Sequence, residues 1–127
     1  MVHTIEFQKA LGLLYIHYQG VLTDDALLQA FQEDLAAIRS HPVKGVIVDL
    51  TDISRFTLQS QTNVALAESA SLPSSVRLVF VAPCDIQFGM ARMFELSSDV
   101  ALSSRIRVVR QLAEAYAELG VAAPVAC

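Results

Sequence analysis

The stretch Lys44-Gly45-Val46-Ile47-Val48-Asp49-Leu50-Thr51-Asp52-Ile53-Ser54-Arg55-Phe56 decides how the rest of the chain must fold. Val46, Ile47, Val48 and Leu50 are β-branched or bulky apolar residues, interrupted once by Asp49. A nearly continuous apolar run suits a strand buried on both faces of a sheet. It is read as the central strand. Thr51, Asp52 and Ser54 follow at once, so the strand is expected to deliver a short polar loop to its C-terminal edge, where open α/β sheets keep their sites.

Working outward toward the N-terminus, His3 to Phe7 alternates, and Leu13 to Tyr18 is a second run rich in β-formers. The short Gln8-to-Gly12 link makes them an antiparallel hairpin. Gly20 and Thr23-Asp24-Asp25 are expected to stop the second strand and open a helix, with Thr23 as N-cap and two carboxylates at the positive end of the dipole. Leu27, Leu28, Phe31, Leu35 and Ile38 form one stripe at helical spacing, and His41-Pro42 ends the helix.

Beyond the central strand, Thr57 or Ser60 can cap a second helix reaching about Ala70. Val76 to Ala82 reads as a strand, Asp85 as the cap of a helix through Leu96, and Ile106 to Val109 as a short strand. A last helix presents Leu112, Ala115, Tyr116 and Leu119 on one face and ends at Gly120, which can supply a left-handed C-cap. The order ββαβαβαβα, with right-handed crossovers, predicts a mixed five-stranded α/β sheet with four main helices and the first strand as an antiparallel edge. Residues 1–120 are expected to form the domain and 121–127 a flexible tail.

At 127 residues the chain has the size of one domain, and its 54% apolar and 17% charged content is far from that of disordered chains. Thirteen acidic against nine basic residues give a net charge of -4, which disfavours nucleic acid and anionic membranes as partners. No apolar run is long enough for a membrane span and no signal peptide opens the chain, so a cytoplasmic location is expected. Cys84 and Cys127 match no zinc or redox spacing, and His3, His17 and His41 form no ligand pair. No metal or cofactor is implied.

The segments Gly20-Val21-Leu22-Thr23-Asp24, Gly45 to Ser54, and Arg107-Val108-Val109-Arg110 with Leu119-Gly120 resemble bacterial SpoIIAA-like proteins, relatives of the STAS domain of anti-sigma factor antagonists. The resemblance implies a non-catalytic regulatory or protein-interaction domain. It implies in the second place a small-molecule or lipid carrier, since some relatives of this architecture hold apolar ligands. Anti-sigma factor antagonists carry a phosphorylatable serine in an Asp-Ser-Ser/Thr-Gly motif at the start of the helix after the central strand. When Ile53-Ser54 is set on the hydrophobe-Ser pair preceding that motif, Thr57 falls on its Asp and Leu58 on the phosphorylated serine. Gln59-Ser60 falls on the pair that follows, and the glycine is absent. Leucine cannot accept phosphate.

The candidate loop comprises Asp49, Asp52, Ser54, Thr57 and Ser60. Asp52 and Ser54 could meet a ligand at a helix start, or serve as turn and capping residues. Asp49, a carboxylate inside an apolar run, either accepts backbone hydrogen bonds at the sheet's end or marks a site. Asp24, Asp25 and Asp49 also suggest a phosphoacceptor receiver domain, but the strand positions of Asp49 and Arg110 are wrong for one. Cys84 precedes a helix start and is either a small packed residue or an activated thiol. Arg105, Arg107 and Arg110 read as a solvated edge that blocks aggregation. On the helix from Ile86 to Leu96, Ile86, Met90 and Phe94 share the stripe expected on the sheet, which leaves Phe88 and Met93 as an expected partner surface, for another protein or for a second copy in a homodimer. No catalytic residue is assigned.

Overall fold

The computed structural model describes residues 1–123. Its strands are β1 (Val2–Gln8), β2 (Leu13–Thr23), β3 (Gly45–Thr57), β4 (Arg77–Val81) and β5 (Ile106–Val109). The helices are α1 (Asp24–Ser40), α2 (Ser60–Ser69), α3 (Asp85–Ser97), a single turn α4 (Val100–Ser103) and α5 (Leu112–Glu118). The sheet runs β1-β2-β3-β4-β5, with β1 antiparallel to β2 and every later pair parallel. The mixed sheet, its antiparallel edge and the central place of β3 follow the sequence reading. The short helix α4, capped by Asp99 accepting from the Leu102 N–H at 2.8 Å, was not anticipated.

Strand order in step with chain order has a consequence for the layers. Successive right-handed crossovers that always advance in one direction place their helices on the same face of the sheet. Leu14, Ile16, Val46, Val48, Leu78 and Phe80 accordingly build the larger core under α1, α2 and α3. Among the described residues α5 alone, which follows the last strand, covers the reverse face, where Ala115, Tyr116 and Leu119 pack on Leu13, Ile47, Val79 and Val81. Gly45 lets α5 close on that face, because a Cβ there would stand 2.8 Å from the Leu119 side chain. Val121 packs at the margin of this second cluster. Of the expected tail, residues 124–127, Cys127 included, lie outside the described residues.

Two local expectations need correction. Gly20, with φ of 102°, does not end β2; the strand continues to Thr23 through irregularities in its pairing with β3 on either side of Gly20. Its partner β3 likewise does not stop at Leu50: Gln19 pairs with Asp52, Gly20 with Ile53 and Leu22 with Phe56. The polar segment after the apolar run is therefore strand, held by a neighbour far away in sequence, and not a loop. Thr23 does cap α1, accepting the Ala26 N–H at 3.1 Å, and Gly120 takes the left-handed conformation that closes α5, with φ of 70°.

Candidate functional site

The C-terminal half of β3 carries the residues singled out in sequence. Asp49 is buried on the α5 side of the sheet, where its Oδ2 accepts the Tyr15 hydroxyl at 2.5 Å. Its Oδ1 accepts the Thr51 N–H at 3.0 Å and the Thr51 hydroxyl at 2.5 Å. Three donors answer the desolvation of this carboxylate. Beside it, His17 Nε2 lies 2.6 Å from Asp52 Oδ2, with the Asp52 side chain half exposed. Ser54 and Thr57 are exposed on the same strand. Thr57 does not cap α2; Gln59 occupies the N-cap position without a side-chain bond, and its N–H donates instead to Asp24 Oδ1 at 3.0 Å. Ser60 opens α2 and is exposed. Leu58 turns inward and packs against the larger core.

A second site, not anticipated from the sequence, lies beneath α1. A cavity of about 90 Å³ opens between α1, α2, α3 and the larger sheet face, walled by Leu27, Phe31, Phe56, Leu66, Phe80 and Phe94. Tyr18, Asp34 and Asn63 are the residues of its lining with polar side-chain groups. Asp34 is buried on α1; its Oδ2 accepts the Tyr18 hydroxyl and its Oδ1 lies 2.6 Å from His3 Nε2. The other ring nitrogen of His3 reaches Glu33 at 3.0 Å. Burial pushes the Asp34 carboxyl upward, against the opposing pull of its hydrogen bond from Tyr18 and of His3. A signal for this site existed: Ala30, Asp34 and Ile38 recur at helical spacing on one buried stripe, so Asp34 stands within an apolar pattern as Asp49 does.

The tyrosines give this arrangement a pH signature. Burial, followed by the neighbouring Asp49 for Tyr15 and Asp34 for Tyr18, raises both phenols above the usual 10.0. Tyr116 is raised by burial as well. A group with a higher pKa folded than unfolded contributes stability that is complete below the unfolded pKa and is lost as pH rises through the folded one. The tyrosine contribution to the melting temperature is therefore expected to hold to about pH 10 and to be lost above it, and Tyr18→Phe should flatten that alkaline decline. An alkaline profile unchanged in that variant would show that Tyr18 does not contribute to it. The same sign applies to Asp34, whose raised pKa makes stability decline as pH climbs above the unfolded value of 3.8.

The inward face of α3 matches expectation at Phe94, which is buried, and at Met90, which lines the cavity, but not at Ile86. Gln87, Ala91 and Phe94 face inward, while Ile86, expected in the core, is 69% exposed together with Leu96 at 70%. Gln87 sets this phase. Its Nε2 donates to the Thr51 and Ile53 carbonyls at 3.2 Å each, and its Oε1 accepts the Cys84 N–H at 3.2 Å. Phe88, expected to stand free, is half-buried against the larger core and carries the Arg110 guanidinium 4.1 Å above its ring. Met93 is half-buried. Cys84 is exposed at the start of α3 and is not a packed core residue.

Arg107 is exposed as expected of a solvated edge, but Arg105 and Arg110 make tertiary contacts. Arg105 donates to the carbonyls of Pro73 at 2.6 Å and Val76 at 2.7 Å, which ties the α2–β4 connector to β5. Arg110 bridges to Asp85 at 2.9 Å. His41 Nδ1 lies 2.8 Å from the Ala37 carbonyl at the end of α1, as its position in sequence suggested. Among the described residues no three His, Cys, Asp or Glu side chains gather as a metal site, and no helix is long and apolar enough to cross a membrane.

Comparison with known proteins places the fold. No family model and no curated protein matches the chain. Among solved structures, the phosphorylated form of the Bacillus cell fate determinant SpoIIAA superposes with a TM-score of 0.59 at 18% identity, over 93% of this chain and 99% of that one. The anti-sigma factor antagonist SpoIIAA in its unphosphorylated form gives 0.55 at 15% identity, over 92% and 96%. An uncharacterised DUF3478 protein with a SpoIIAA-like fold, from Shewanella loihica, gives 0.60 at 14% identity, over 93% and 92%. The chain has the SpoIIAA-like fold.

Proposed function

We propose that this protein is a non-catalytic regulatory domain that works by binding a protein partner, in the manner of the anti-sigma factor antagonist whose fold it shares, with residues 1–120 as the working unit in the cytoplasm. The observation that carries this reading is likeness over nearly the full length of both chains, with the β3–α2 junction presenting the exposed side chains of Asp52, Ser54, Thr57 and Ser60. The partner-facing surface in this reading is that junction together with the neighbouring outward side of α3, where Ile86 and Leu96 are exposed and Met93 is half-buried.

The domain is not expected to be switched by phosphate at the position that the resemblance marks. Leu58 stands there and its side chain is turned into the core. Incubation with the kinase of an anti-sigma system, followed by mapping of modified residues, is expected to leave the β3–α2 junction unmodified. Stoichiometric phosphate on Ser60 would overturn the unswitched reading. Binding that survives alanine replacement of Asp52, Ser54, Thr57 and Ser60 together would move the partner surface elsewhere.

A second reading, small-molecule or lipid binding, is favoured by one specific observation, the apolar cavity beneath α1. Native mass spectrometry of gently purified protein tests it: a bound small molecule is expected, and its absence counts against this reading and leaves the first untouched.

A further inference from the structure

The cavity beneath α1 is chemically one-sided at its polar end. Asp34 receives one hydrogen bond on each oxygen, from Tyr18 and from His3, and an ionised carboxylate has about four acceptor positions, so capacity remains. The Tyr18 hydroxyl hydrogen is committed to Asp34, which leaves its oxygen as an acceptor. Asn63, the other buried polar residue of the lining, commits one of its two Nδ2 hydrogens to the Met90 carbonyl at 3.0 Å. The end formed by Asp34 and Tyr18 thus offers acceptors and no free donor, since the Tyr18 hydrogen is spent on Asp34 and an ionised carboxylate has none. All other walls are apolar, among them four phenylalanines drawn from α1, β3, β4 and α3.

We propose that this cavity binds small uncharged apolar molecules carrying one O–H or N–H donor, of the phenol or short-chain alcohol class, with the donor received by Asp34 and Tyr18. This rests on the ligand-binding reading given above and adds the ligand's chemistry. Size and charge restrict the class. A volume of about 90 Å³ suits a single ring or short chain and not the paired tails of a phospholipid. A ligand carboxylate would bring a second negative group against Asp34 in surroundings of low dielectric, so fatty acids and aromatic acids are excluded.

The test titrates the full chain with benzene, phenol and benzoate, following amide and methyl chemical shifts. Phenol is expected to bind about tenfold more tightly than benzene, the margin of one hydrogen bond to a charged acceptor, and benzoate to leave the cavity signals unmoved. Asp34→Asn, or Tyr18→Phe should the former fail to fold, is expected to shrink the phenol-to-benzene ratio to about threefold or less. Ala70→Leu, which fills the cavity from α2's C-terminal side, is expected to abolish binding of both. Equal binding of benzene and phenol would overturn the proposal while leaving an apolar site in place. Benzoate binding as tightly as phenol would overturn it too, as would phenol binding unaffected by Ala70→Leu. No shifts from any probe would remove the ligand-binding reading along with it.

Discussion

Val48→Asp is expected to leave no cooperatively folded protein. Val48 is 7% exposed in the middle strand of five, paired with Ile16 on one side and Phe80 on the other. A carboxylate there would face the apolar core beneath the helices, and an unpaired buried charge costs several kcal/mol against a total stability of about 5 to 15. The contrast with its neighbour is instructive, because Asp49 is tolerated one residue away through three donors on the opposite face. No comparable set of donors faces Val48. Circular dichroism during thermal unfolding checks this: a sigmoidal transition within a few degrees of the parent would refute it.

Gln87→Leu is expected to lower stability by about 3 kcal/mol. The substitution keeps an apolar stem of similar length but removes the carboxamide that spans two β3 carbonyls and the N–H of Cys84, the N-cap of α3. The Ile53 bond is buried, so its carbonyl is left without a partner, and each such orphaned group costs about 1 to 3 kcal/mol. Gln87→Glu should also destabilise, since an ionised carboxylate cannot donate to carbonyl oxygens. The urea midpoint is the measurement, with unchanged slope as evidence that the native surface is intact. A loss below about 0.5 kcal/mol would mean that water replaces the side chain and that α3's phase is set by Phe94 and Ala91 alone.

Much of the architecture was legible in local pattern. The apolar run at Val46–Leu50 identified the middle strand because only a strand covered on both faces can dispense with alternation. Thr23 as a cap, the α1 stripe of Leu27, Phe31, Leu35 and Ile38, and Leu112, Ala115, Tyr116 and Leu119 on α5 could be read because helix periodicity and capping involve neighbours a few residues apart; Leu28, expected on the same stripe, is exposed. Leu58 could be read as unable to accept phosphate from its chemistry alone. Asp34 escaped notice because its partners, His3 and Tyr18, come from strands whose sequence does not say which helix they lie beneath.

By itself, then, the sequence determined the element order, the mixed sheet with its antiparallel edge, and which faces of α1 and α5 are apolar, all of them consequences of spacing within one element. The tertiary structure alone decided three things. The polar segment after Leu50 became strand because β2 continued past Gly20 and lent it a hydrogen-bonding edge. The helix α3 buries Gln87, which donates to two β3 carbonyls, and leaves Ile86 exposed, a choice that depends on acceptors supplied by another element. The cavity formed because strand order in step with chain order set α1, α2 and α3 on one face of the sheet, where Asp34 meets Tyr18 over a distance that no local pattern encodes.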